Sequence, residues 1–164
     1  MDYSSLKFFS LKYSLFSDYY KKNLHNLLDK CFNDLPSYEL HDDTIIQGFT
    51  KDKDIISTLS LLNHNQLQII LKENNNDDMN GYSKKGDNGL FIYNVATIPE
   101  YRRNRLSEVL IHKLMKETTA KYLHCQVKKD NEPSFNLFFK CGFQIEEEMM
   151  NENDLVVCVL SRDI

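Results

Sequence analysis

Between Leu90 and Leu114 a nearly continuous apolar run, Leu90 to Ile98, passes through Pro99-Glu100-Tyr101-Arg102-Arg103-Asn104-Arg105 into Leu106, Val109, Leu110, Ile111 and Leu114 at helical spacing. A run of that length and composition predicts a strand buried on both faces, and the residues after it predict an amphipathic helix. A strand covered on both sides belongs in a sheet flanked by helices. The junction is also a natural anion site, because a helix N-terminus presents unpaired backbone amides and the positive end of the helix dipole. Arg102, Arg103 and Arg105 add guanidinium forks that match phosphate geometry, in a chain whose formal net charge is -4. A phosphate site and a solvated basic loop both account for three arginines at this place.

The rest of the chain supplies the other layers. Ser17 and Asp18 predict a helix cap before Leu24, Leu27, Leu28, Cys31 and Phe32, and the aromatic stretch Leu6 to Tyr13 predicts a strand ahead of it. Leu35-Pro36-Ser37 breaks the pattern, and a short second helix or irregular segment is expected from there to Gly48. Ile55 to Leu62 and Gln66 to Leu71, separated by Asn63-His64-Asn65, read as an antiparallel hairpin. The polar stretch from Glu73 to Asn88 reads as a long mobile loop, its asparagines reflecting a compositional bias. Tyr122 to Val127 alternates as a strand. A helix should follow Asn131, with Pro133 in its first turn, Phe135, Phe138 and Phe139 on its apolar face and Gly142 just past its end. Phe143 to Glu147 and Leu155 to Leu160 close the chain as strands. No internal repeat or linker divides it, so residues 1–164 are expected to form one domain.

Composition narrows the function. With 24 acidic against 20 basic residues, the chain has no surplus of cations to displace counterions, so neither nucleic acid nor an anionic membrane is an expected partner. No apolar run approaches the roughly 18 residues of a membrane span, and the start lacks a leader pattern, so a cytoplasmic location is expected. The four cysteines lie far apart with no Cys-x-x-Cys pair, which points to reduced, structural thiols and to no metal.

Two segments carry a resemblance. Val95-Ala96-Thr97-Ile98-Pro99-Glu100-Tyr101-Arg102 is similar to the end of the fourth strand and the start of the pyrophosphate loop of the GNAT superfamily, N-acetyltransferases that use acetyl-coenzyme A. Asn131-Glu132-Pro133-Ser134-Phe135-Asn136-Leu137-Phe138-Phe139-Lys140-Cys141-Gly142-Phe143 resembles that family's later signature. The likeness is specific over Leu90 to Phe143 and topological before it. It implies an α/β (α+β) domain with the GNAT fold: a single mixed, mostly antiparallel sheet of about six to seven strands flanked by about four helices.

The resemblance also implies a site. Main-chain groups of Val95, Ala96 and Thr97 would hold the acetyl group and pantetheine. The backbone of Arg102, Arg103, Asn104, Arg105, Leu106 and Ser107 would wrap the pyrophosphate, with Asn131 and Phe138 as further cofactor contacts. Asn131 reads equally as a helix cap. Arg105 stands where the family has its first glycine, and Ser107 where it has Gly or Ala. A side chain at 105 either loosens the phosphate nest, turns outward, or adds a direct contact to phosphate. The family's mechanism is direct attack of a neutral amine on the thioester, aided by an amide donor at the oxyanion, a base and an acid. Phe138 replaces the tyrosine that often protonates the thiolate, leaving Tyr93, Tyr82 or Cys141 as substitutes. Glu146 and His124 are the candidate bases. The implied activity is an N-acetyltransferase acting on a small-molecule or peptide amine, as a monomer or homodimer. The rival implication is a GNAT-fold protein that binds coenzyme A as a regulatory or interaction module.

Overall fold

The computed structural model of the chain describes residues 2–32, 40–74, 82–150 and 155–164. In chain order its elements are β1 (Lys7–Lys12), α1 (Asp18–Cys31), β2 (Ile45–Lys51), β3 (Asp54–Asn63), α2 (His64–Glu73), β4 (Gly89–Thr97), α3 (Leu106–Glu117), β5 (Tyr122–Lys128), α4 (Glu132–Lys140), β6 (Gln144–Met150) and β7 (Val156–Asp163). The strands form a seven-stranded sheet in the order β1-β2-β3-β4-β5-β7-β6. The pairs β1-β2, β2-β3, β5-β7 and β6-β7 are antiparallel, and β4-β5 is parallel. This is the mixed, mostly antiparallel sheet with helices that the sequence predicts. The described residues fall into two compact units, one within 1–61 and 93–113, the other within 62–92 and 114–164.

In the first unit, Ser17 caps α1 by accepting the Tyr20 amide at 3.3 Å, and the helix then presents Leu24, Leu27 and Leu28 to Phe16, Ile46, Ile55 and Ala96. Each of those leucines is at most 2% exposed, and full burial of such a side chain stabilises by roughly 2 kcal/mol. β2 and β3 join through Asp52-Lys53, both at positive φ (50° and 76°), the backbone that a two-residue hairpin turn requires. A Cβ at Gly48 would run into the Ser57 carbonyl oxygen of β3 and come within 2.7 Å of the ring of Phe9, its partner across β1-β2, so the position takes glycine.

In the second unit, β4 and β5 pair over Gly89–Phe91 and Tyr122–His124. Phe91, Leu123, Cys125, Val127, Val159 and Leu160 fill its core. Asn131 caps α4 by accepting the Ser134 amide at 3.2 Å, Pro133 sits in the first turn, and Gly142 follows the helix at φ 80°, a value a Cβ would oppose. All four cysteines are free, with Cys125, Cys141 and Cys158 buried. Among the described residues no helix is long and apolar enough to cross a membrane, and no group of three His, Cys, Asp or Glu side chains is placed to hold a metal ion.

Two expectations are corrected. The stretch read as helical or irregular up to Gly48 contains β2 from Ile45; Leu35-Pro36-Ser37 lies outside the described residues. The second arm of the expected hairpin is helix α2. Asn63 is its cap, accepting the Gln66 amide at 2.9 Å while the Gln66 carboxamide accepts the Asn63 amide at 2.9 Å. Leu67 and Leu71, four residues apart, are the buried pair of that helix, and Ile69 between them is exposed. Of the polar stretch, residues 75–81 lie outside the described residues. The part from Tyr82 to Asn88 is fastened. Tyr82 stacks edge-on against Phe91 at 5.0 Å, Lys85 pairs with Asp163 at 2.7 Å, and the Tyr122 hydroxyl donates to the Gly86 carbonyl.

Candidate functional site

The end of β4 and the turn into α3 form one hydrogen-bonded assembly in the first unit. Asn94, buried inside β4, has φ 48°, which rotates its peptide groups away from ladder geometry just before Val95, Ala96 and Thr97. The Thr97 hydroxyl bridges Ser57 on β3 (2.7 Å) and Ser107 in the first turn of α3 (3.0 Å). Its carbonyl accepts from Arg102 Nε at 3.3 Å and from Cys31 Sγ at 3.4 Å. Ile98 stays in the sheet by donating to the Ile56 carbonyl at 2.9 Å. The strand end, the turn and the helix start are thereby fixed relative to one another.

The turn itself is unusual in its dihedrals. Arg103 has φ 68° and Arg105 φ 58°, both left-handed. Alternation of that conformation with ordinary backbone curls successive amides toward a common centre, the geometry of an anion-binding nest. The Arg105 carbonyl accepts the Val109 amide at 2.9 Å, so this residue is also the junction with α3. Its guanidinium turns away onto Glu108, with a bidentate pair at 3.0 and 2.6 Å, and is 72% exposed. At 105 the backbone is left-handed and the side chain is paired with Glu108. Asn104 braces the turn through Nδ2, which donates to the carbonyls of Tyr101 (3.1 Å) and Arg102 (3.4 Å). The Tyr3 hydroxyl donates to the Asn104 carbonyl at 2.7 Å.

Val95, Ala96, Thr97 and Arg102 to Ser107 are thus brought together. Tyr93 lies on the same strand, 4% exposed, with its hydroxyl against Thr44 Oγ1 at 3.0 Å; burial pushes its pKa up to about 12.

The other candidates belong to the second unit. His124 is 1% exposed, ringed by Phe91 and Tyr122, and its Nδ1 accepts the Ser83 amide at 3.4 Å. Desolvation pulls its pKa down to about 4 despite the opposing charge of Glu146, with His64 adding to the depression. The Ser83 hydroxyl donates to Glu146 Oε1 at 2.6 Å, so one residue ties the two candidate bases together. Glu147 and Glu148 on the same strand pair with Lys84 (3.7 Å) and Lys129 (2.6 Å). Asn131 spends its side-chain oxygen on the α4 cap. Phe138 is buried, edge-on to Phe143 at 5.0 Å, and Cys141 is buried close by in sequence. Tyr82, read as part of a mobile loop, is 8% exposed.

Sequence reasoning missed Ser57, Asn94 and Ser83. Asparagine inside an apolar strand run is the legible signal for the second, since it tolerates a left-handed backbone better than most residues. The other two meet partners distant in sequence, and nothing local marks them.

The sequence model of the acetyltransferase (GNAT) family matches residues 12–143. No curated protein matches the chain in sequence. Among solved structures, an acyl-CoA N-acyltransferase from Pseudomonas aeruginosa is similar with a TM-score of 0.66 at 13% identity, covering 96% of this chain and 99% of that one. The ribosomal-protein-S18-alanine N-acetyltransferase from Escherichia coli is similar with a TM-score of 0.63 at 11% identity, covering 96% and 94%. The NatC complex bound to Gag peptide and CoA is similar with a TM-score of 0.65 at 13% identity, covering 96% and 99%.

Proposed function

The chain belongs to the acetyltransferase (GNAT) family, and we propose that it transfers an acetyl group from acetyl-coenzyme A to a primary amine of a small molecule or peptide. The observation that carries this reading is the left-handed pair Arg103 and Arg105 at the start of α3, joined to the end of β4 through Thr97. The fit to a pyrophosphate follows from the same place. The Arg105 side chain is paired with Glu108, and the backbone there has a left-handed dihedral that glycine also adopts, which supports a phosphate reading of the turn. Arg102 and Arg103 bring positive charge to the rim.

Acetyl-coenzyme A, when bound, supplies the activated thioester carbonyl. Backbone groups of Val95, Ala96 and Thr97, beside the left-handed Asn94, would hold its extended arm, and an amide among them would serve as the donor to the carbonyl oxygen as it gains charge. Donors of that kind are typically worth about 3 to 4 kcal/mol of transition-state stabilisation. Glu146, whose carboxylate accepts from the Ser83 hydroxyl, is one candidate for the base that deprotonation of the amine requires. His124, held neutral by burial, is the second candidate. Phe138 has no proton to give, and Tyr93 holds its own tightly, so the departing thiolate, with a thiol pKa near 8.5, leaves without strong acid assistance. The chain is read as one domain over residues 1–164.

The test is thermal melting with and without acetyl-coenzyme A. At 100 times its dissociation constant a ligand stabilises by about 2.7 kcal/mol, which is about 5 to 10 °C in Tm for a chain of this size. No shift at millimolar concentration refutes the reading. Thiol release in the presence of polyamines, amino sugars and peptides then separates an enzyme from a protein that only binds the cofactor.

A further inference from the structure

The turn that carries the proposed phosphate site adopts a backbone that its own residues disfavour. Arg103 and Arg105 sit at φ 68° and 58°, where side chains with a Cβ are rarely found. Such a turn persists only where its surroundings over-determine it. Two of the braces are local: the Asn104 carboxamide on the carbonyls of Tyr101 and Arg102, and the Arg105 guanidinium on Glu108. The third arrives from 101 residues away. The Tyr3 hydroxyl donates to the Asn104 carbonyl at 2.7 Å. Tyr3 opens a single 3-10 turn, Tyr3–Ser5, whose start is pinned by Asp2, with one carboxylate oxygen accepting the Ser4 amide and the other the Ser4 hydroxyl, each at 2.8 Å.

The carbonyl that Tyr3 holds belongs to the peptide plane between Asn104 and Arg105. Because that plane is rigid and trans, fixing the carbonyl on one side fixes the Arg105 amide on the other. We propose that Tyr3 is a positioning residue for the cofactor loop: it orients the Asn104-Arg105 peptide so that the Arg105 amide faces the pyrophosphate, replacing from outside the loop a geometry that glycine would adopt unaided. This rests on the coenzyme A reading of the same loop.

Two measurements on the full-length chain test it. Calorimetric titration with coenzyme A should show Tyr3→Phe binding about fivefold more weakly than wild type, the equivalent of ~1 kcal/mol, the scale of one hydrogen bond. Trypsin, which cuts after arginine, should cleave the folded Tyr3→Phe chain at Arg103 or Arg105 several-fold faster than wild type, because local opening limits such cleavage. Adding Arg105→Gly to Tyr3→Phe should restore affinity to within about twofold, since glycine needs no brace, a rescue that a merely structural role for Tyr3 does not predict. Unchanged affinity in Tyr3→Phe overturns the proposal, whether or not cleavage accelerates. A wild-type chain with no affinity for coenzyme A at millimolar concentration overturns the cofactor reading instead, and cleavage then still reports whether Tyr3 braces the turn.

Discussion

Replacing Arg105 by glycine and by alanine separates the backbone at that position from its side chain. Both substitutions remove the bidentate pair with Glu108; since the Arg105 side chain is 72% exposed, that loss is small and is the same in both variants. Alanine keeps a Cβ at φ 58° and so keeps the left-handed penalty, on the order of 1 to 2 kcal/mol. Glycine removes that penalty but loosens the unfolded chain, which costs about 0.7 kcal/mol. The balance leaves Arg105→Gly about 0.8 kcal/mol more stable than Arg105→Ala and close to wild type, and for a chain of this length the two Tm values should differ by about 2 to 3 °C. Urea denaturation followed by circular dichroism gives the same comparison at 25 °C, with equal slopes for both variants. If Arg105→Ala is as stable as Arg105→Gly, Arg105 does not hold a left-handed backbone, and the argument for a preformed phosphate turn loses its basis.

Phe138→Tyr places a hydroxyl beside Phe143; if the missing proton donor limits turnover, thiol release at saturating acetyl-coenzyme A should rise about tenfold, and an unchanged rate would show that the leaving thiolate takes its proton elsewhere. His124 makes stability depend on pH. Its folded pKa, near 4, lies below the ordinary value of 6.5, so the unfolded chain takes up a proton first; its contribution is complete above about pH 6.5 and falls away toward pH 4, by about 3 kcal/mol at most. His124→Phe should flatten urea midpoints across that window, and a midpoint that still drops as steeply would assign the dependence to other groups.

What could be read from sequence was local. Ser17 before α1 and Gly142 after α4 act within a few residues and are present as expected, and Asn131, read equally as a cap or a cofactor contact, caps α4. β2 escaped because Gly48 breaks its apolar pattern for a tertiary reason, the Ser57 carbonyl and the Phe9 ring on the two neighbouring strands. α2 escaped because Asn63-His64-Asn65 looks like a turn, whereas Asn63 with Gln66 is a reciprocal cap. In the site, the position of the basic turn was legible, since strand, arginines and helix are contiguous. Its dihedrals were not, because arginine is a poor marker of a left-handed backbone and the contacts holding it include a hydroxyl from Tyr3. Ser83 shows the same limit: within a polar stretch it reads as solvated, and only the fold brings it to Glu146, 63 residues later.

The carboxylates of β6 bear on how the sheet ends. β6 is the outer strand of the order, and an outer strand offers unpaired backbone groups to any passing strand. Glu146, Glu147 and Glu148 are each engaged by Ser83, Lys84 or Lys129 of the same chain. A foreign strand docking there would have to displace those partners and strip water from three adjacent carboxylates, at a cost that backbone hydrogen bonds do not recover.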